Sequence, residues 1–214
     1  MMQTTWGYAL TNSDNLPDLV SLMEFTAFTG GKFGSDVRIA PNVKAASTAI
    51  RNYCGWHIAP NLECEMVYRV YDLRDAFIGS DLLIQLPATF VTNVSSVLLN
   101  AVKNEDVWVG DETTDFDFEK SGLLRLYDIA NVDKRSKIRV VFNSGLNLNQ
   151  IDLLKELASN RVTHALVSSY GVASESAGGV SITYNSSWAG NTRSTALPDD
   201  NKEVLNPYRV KGVF

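Results

Sequence analysis

The stretch 115-DFDFEKSGLLRLYDI-129 decides how this chain is read. Phe116 and Phe118 alternate with Asp115, Asp117 and Glu119, a period of two that sets aromatic rings on one face of a strand and carboxylates on the other. Lys120, Ser121 and Gly122 then turn the chain, and Leu124 and Leu126 resume the alternation, so the pattern spells a β-hairpin. Outward from it the same signal repeats. EMVYRVYDL (65–73) is rich in β-formers, and DLLIQLP (81–87) is a short apolar run closed by Pro87. FVTNVSSVLLN (90–100) spaces Val91, Val94 and Val97 among turn-prone Asn and Ser, and KIRVVFNSG (137–145) ends on Asn143, Ser144 and Gly145. Short runs with turn signals between them predict an antiparallel meander or small sandwich over residues 63–143.

The flanks change period. PDLVSLMEFTAF (17–28) places Leu19, Leu22, Met23 and Phe28 at helical spacing, and TGGKFGSD (29–36) breaks it. A second helix starts near Pro41, carries Val43, Ala46, Ile50 and Tyr53 on one face, and stops at Gly55. After the β segment, a long helix capped near Asn149 aligns Ile151, Leu154, Leu157, Ala158, Val162, Ala165 and Leu166 before Gly171. Neither stripe is stable alone, so the two helices are expected to pack on each other. The fold expected is α+β: a small α-helical bundle core (1–62 and 144–184), an inserted antiparallel β module (63–143) and an extended C-terminal arm (185–214). SITY (181–184) adds one short strand to the second core part. The arm mixes turn residues with isolated large side chains and, fully extended, reaches on the order of 100 Å. Its anchors are Trp188, Leu197, Leu205, Tyr208, Arg209 and Phe214.

Composition bounds the function. With 214 residues, 45% apolar and 20% charged, the chain is long enough to bury a core. Its net charge of −5 argues against non-specific grip on nucleic acid. The charge is uneven: residues 63–143 hold fourteen acids against nine bases, whereas each flank is balanced. NEDVWVGDETTDFDFE (104–119) alone carries seven acids and no base. Two cysteines are no disulfide framework and fit folding in a reducing cytoplasm. The start MMQTTWGYALTNSDN lacks the basic and apolar regions of a secretory signal, and no apolar run approaches the roughly 20 residues that cross a bilayer.

Reactive residue types gather once, in YCGWHIAP (53–60). The rival reading, a cysteine hydrolase using Cys54 and His57, needs an electropositive setting for the thiolate, and Cys54 lies at the carbonyl end of its helix, where the dipole disfavours one. Packing explains it more simply. Zinc on Cys54, His57 and Cys64 would need the spacing C-x2-H-x6-C, which matches no structural pattern, and His164 sits far away mid-helix. The acids 111–119 do not follow a calcium loop, and TGGKFGS and SAGGV lack the phosphate-loop spacing. No catalytic residue, metal or cofactor is therefore assigned. A carbohydrate- or protein-binding module built on the β segment, with Trp108 as its platform, is a further alternative, set against packing of Trp108 between Val107 and Val109.

Three stretches resemble, in the same order, the head-tail connector proteins of tailed bacteriophages. VKAASTAIRNYCGWHIAP (43–60) resembles their Ala-rich first core helix. LIQLPATFVTNVSSVLLN (83–100), GLLRL (122–126) and IRVVFNSG (138–145) resemble the β insertion many members carry. LKELASNRVTHALVSSYGVASESAGGVSITY (154–184) resembles the second core helix and its continuation, the most specific of the three. The resemblance implies a structural virion protein made in the host cytoplasm and without catalytic residues. It implies a homo-oligomeric ring, typically dodecameric, that sits under the portal protein, extends the DNA channel and seats a stopper or tail-completion protein. By analogy with related rings, the arm would dock on the portal through Leu205, Tyr208 and Phe214. A conduit should let duplex DNA slide without specific binding, so an acidic inner face is expected, with Asp106, Asp111, Glu112, Asp115 and Asp117 as its candidates.

Overall fold

A computed structural model describes residues 1–11, 15–34, 36–129, 132–167, 174–177, 180–183 and 199–210. The expectation of a small helical bundle with a β insertion is overturned. Among the described residues antiparallel β dominates: ten strands form two sheets and two more form a separate hairpin. It divides into two compact units, one from Met1–Leu16 and Gly55–Asn147 and one from Pro17–Cys54 and Leu148–Arg209.

The first unit contains β1 (Met2–Gln3), β2 (Ala9–Leu10), β3 (Leu62–Arg69), β4 (Phe77–Ile78), β5 (Asp81–Gln85), β6 (Val91–Asn104), β7 (Val107–Glu112), β8 (Phe116–Phe118), β9 (Leu123–Leu126) and β10 (Lys137–Ser144). Its larger sheet has the order β1-β2-β3-β10-β6-β7 and its smaller sheet β4-β5-β9-β8. The expected hairpin is β8 and β9, with Phe118 opposite Leu124 and Phe116 opposite Leu126. Leu82 and Ile84 on β5 face Leu126 and Leu124 on β9, and all four are buried. On the larger sheet Val94, Val97, Ile138, Val140 and Phe142 are buried in the same alternation. The Tyr68 hydroxyl, from β3, donates to the Gln85 carbonyl at 3.2 Å and ties the two sheets together. Burial pushes that phenol above its ordinary value.

The helical expectation failed at the ends of the β segment. β1 and β2 are two residues each, too short to show a period, yet they extend the larger sheet through Ala9 opposite Glu65 and Leu10 opposite Cys64. The residues after Gly55 also belong with the sheets. Trp56, His57 and Ile58 are buried there, and Trp56 stacks on Phe90 with centroids 6.0 Å apart. The β part is thus a unit assembled from both sides of a helix and not a module inserted between helices.

The second unit holds α1 (Leu22–Phe28), α2 (Ile39–Cys54), α3 (Asp152–Val167), the hairpin β11 (Ser174–Ala177) and β12 (Val180–Thr183), and α4 (Asp199–Leu205). Ser21 and Glu24 form a reciprocal capping box at the start of α1. α2 ends at Cys54, and Gly55 follows at φ 80, a conformation that favours glycine. Val43, Ala46, Ile50 and Cys54 on α2 and Leu154, Ala158, Val162 and Leu166 on α3 are buried, and the two helices pack on each other as their stripes require. Lys155 pairs with Glu24 at 2.7 Å, joining α3 to α1. Residues 199–209 are not an extended arm. α4 folds onto α2: Leu205 is fully buried, the Tyr53 hydroxyl donates to Asn206 Oδ1 at 3.0 Å, and Arg209 lies 5.5 Å over the Tyr53 ring.

Candidate interaction surface

The acidic stretch 104–119 builds the far end of a ribbon. β6 is 14 residues long and outruns β10, so its last residues pair with β7 alone. A register shift between Leu99 and Val102, with Asn100 at φ 51, places a bulge there. Gly110 faces the bulge, where a Cβ would sit 2.5 Å from the Leu99 carbonyl oxygen, so only glycine fits. The bend brings Trp108 across β6 and β10 to β3. Its indole N–H donates to Glu65 Oε1 at 3.0 Å, and the other carboxylate oxygen accepts from Arg139 Nη2 at 2.6 Å. Lys103 and Arg139 each lie 6.0 Å from the Trp108 ring. Trp108 is therefore a half-buried clasp, and its ring does not offer the open platform a recognition module needs.

Alternation turns the valines the other way. Val102 and Val109 are directly opposed and Val107 follows on the same face. They are 57%, 54% and 65% exposed, an apolar cluster facing solvent at a sheet edge. The acids of the same stretch are open to solvent. Asp106, Asp111, Glu112, Asp115 and Asp117 are all exposed. Asp111 accepts from Asn100 Nδ2 at 2.9 Å, Glu112 from Ser96 at 3.3 Å and Asp117 from the Tyr127 hydroxyl at 2.7 Å. The Asp117 bond is the main cause that raises the Tyr127 phenol.

A second charged surface escaped sequence reasoning. Lys137 at the start of β10 stands opposite Arg69 at the end of β3. Val70 N–H donates to the Ser136 carbonyl at 3.1 Å, which joins the turn that carries Lys134 and Arg135 to the start of the segment that carries Tyr71 and Arg74. All five cations are exposed, none is in an ion pair among the described residues, and Tyr71 is 63% exposed under Arg74. Asp72, Asp75 and Asp133 on the same two segments are also exposed, and the Asp133 backbone N–H donates to Asn100 Oδ1 on β6 at 3.3 Å. The run DKRSK (133–137) was its only sequence signal, because the partner Arg69 is 68 positions away from Lys137.

The reactive residues take structural roles. Cys54 is buried and its thiol is pushed up to about 12 by desolvation, so it holds its proton near neutral pH. His57 is fully buried. Its Nε2 lies 2.9 Å from the Ser144 carbonyl, which only accepts, so Nε2 carries a hydrogen. Nδ1 is hydrogen-bonded to the Tyr8 hydroxyl at 2.7 Å, and the Tyr8 oxygen accepts the His57 backbone N–H at 3.1 Å. Both ring nitrogens are held inside the core by bonds that tie the segment before β2, the Gly55 turn and β10 together. Cys64 on β3 is also pushed up to about 12 by burial, and His164 is exposed on α3. Among the described residues no three His, Cys, Asp or Glu side chains gather to hold a metal. No described helix is long and apolar enough to cross a membrane.

Of the arm anchors, Leu205 is spent inside its own unit, Tyr208 is half-buried and Arg209 is exposed over Tyr53. Trp188, Leu197 and Phe214 lie outside the described residues. An open groove of about 490 Å³ between α1 and α3 is lined by Val20, Ala27, Phe28 and the Glu24–Lys155 pair. Models of known protein families and curated proteins give no match to this sequence.

Proposed function

We propose that this protein is a structural component of a phage neck, an adaptor whose copies form a ring under a portal, extend the DNA channel and seat the stopper or tail. The role asks for adhesion and an inert wall and needs no catalytic group. One observation carries it: all seven acids of residues 105–119 are exposed, on a segment without a basic residue. A wall of that sign keeps counterions between itself and the phosphates and lets a duplex slide. The ordered resemblance of three sequence stretches to head-tail connectors supplies the context. In this role Asp106, Asp111, Glu112, Asp115 and Asp117 contribute to the channel-facing charge, and the chain's C-terminal residues contribute to contacts with the portal.

A reconstruction of the virion neck tests the reading. The expected result is density for this chain in a ring between portal and tail, with acids of 105–119 turned to the lumen. Virions whose neck lacks the chain would overturn the role. A ring with that whole segment turned outward would overturn the charged-wall detail alone.

A further inference from the structure

We propose that the groove between α1 and α3 is a docking site for a basic amphipathic segment of a partner protein, one that sets apolar side chains between the two helices and Lys or Arg beside their acids. The groove lies wholly within the helical unit, and its occupation goes beyond the channel reading and does not depend on it.

α1 shows more apolar surface than it hides. Of its four large apolar side chains only Phe25 is buried, whereas Leu22, Met23 and Phe28 are 51%, 83% and 49% exposed. Phe28 lines the groove, and Met23 stands one turn before the lining residue Ala27 on the same side of the helix. Single exposed apolar residues are ordinary, but apolar residues gathered at a concave surface mark a place of contact. Local bonds hold the groove in this form. Ser21 and Glu24 close the capping box of α1, and Glu24 also pairs with Lys155 of α3 at 2.7 Å. A groove formed in advance costs little ordering when a partner enters.

The lining states the chemistry of that partner. Its apolar part is Val20, Ala27 and Phe28, and its charged part is Glu24, Asp152, Glu156 and Lys155, three acids to one base. Lys155 is already engaged, by Glu24 at 2.7 Å and by Asp152 at 4.0 Å, and the Asp152 side chain is 85% exposed. Two negative charges of the lining are therefore in excess. Apolar surface beside charge of one sign admits a basic segment and repels an acidic one. Methionine next to a groove between helices adapts to the apolar face of an amphipathic helix, whose anchors recur at i, i+3 or i+4 and i+7.

The test uses the full chain and two fluorescein-labelled helical peptides that differ only in charge. Both carry leucine at i, i+3, i+4 and i+7; one has lysines at the flanking positions and the other glutamates. Fluorescence anisotropy should show saturable binding of the lysine peptide that weakens in high salt, with the glutamate peptide at least about tenfold weaker. Phe28→Ser should weaken the lysine peptide by at least about tenfold, and Asp152→Asn with Glu156→Gln by at least about fivefold. Asp72→Asn with Asp75→Asn removes the same charge from the other unit and should leave binding unchanged. All these positions are exposed, and thermal melts check that each variant folds. If Phe28→Ser fails to fold, Met23→Ser replaces it and should also weaken binding. No saturable binding, or equal binding of the two peptides, would overturn the site. So would a loss that is the same for both pairs of acids, since it would report net charge alone. Self-association of the chain that Phe28→Ser abolishes would give the groove to a second copy and overturn the partner. Each of these failures leaves the adaptor role standing.

Discussion

The smaller sheet and the tip of the β6–β7 ribbon use aliphatic residues to opposite ends. On β5 and β9, Leu82, Ile84, Leu124 and Leu126 are at most 1% exposed. On the ribbon, Val102, Val107 and Val109 are more than half exposed, although they too alternate across paired strands. The pattern of two tells which residues share a face and not which face is covered. In the smaller sheet the fold itself covers the face. On the ribbon nothing among the described residues does, and the residue chosen is costly to leave wet. The first face serves folding and the second is available for assembly.

The largest effect that tests this difference is on stability. Leu124→Ala should cost about 2–5 kcal/mol in urea unfolding, the range for a truncated core aliphatic. Val109→Thr, on the ribbon's open face, should change stability by less than about 0.5 kcal/mol. Equal costs at the two sites would mean that the valine face is covered within one chain.

Next comes the clasp that holds the ribbon down. Glu65→Ala removes the acceptor of both Trp108 and Arg139 and should cost about 2–3 kcal/mol. Amide exchange in β7 should quicken while β5 and β9 remain protected. An unchanged β7 would show that the bulge and Gly110 alone bend the ribbon.

A smaller effect belongs to the helical unit. The bond to Lys155, with help from Ser21, lowers the Glu24 carboxyl from its ordinary 4.5 to about 2. A carboxyl lowered by folding stabilises above its unfolded value, so this contribution is full above pH about 4.5 and is lost as pH falls through about 2. The Glu24 side chain is 44% exposed, so Glu24→Gln should cost less than about 1 kcal/mol near neutral pH. It should also flatten the acid limb of the stability profile over that window. A profile identical to wild type would remove the pair from the account.

The smallest effect is chemical. Both thiols are pushed up to about 12, so iodoacetamide should label folded protein barely at all near neutral pH and label Cys54 and Cys64 readily on unfolding. Rapid labelling of native Cys54 would reopen the nucleophile reading.

Much of the local structure was legible in the residues. Alternation around Phe116, Gly122 and Leu124 announces the β8–β9 hairpin, Gly55 announces the end of α2, and the stripe from Leu154 to Leu166 announces α3. The architecture was not. Met2–Gln3 and Ala9–Leu10 become strands only because β3 offers them an edge, a tertiary effect without a local period. The isolated large residues near Leu205 read as anchors for another molecule, and α2 turned out to supply the surface for that one. At the candidate surface the acids were visible as a run, whereas the basic corner needs β10 paired with β3 before Lys137 meets Arg69. Long-range register creates that corner, and composition does not record it.

The most direct test of the account is the mass of the purified chain with and without an isolated portal ring. The account predicts a ring-sized complex on the portal, with many copies of the 23.6 kDa chain on each. A monomer in both samples would contradict it.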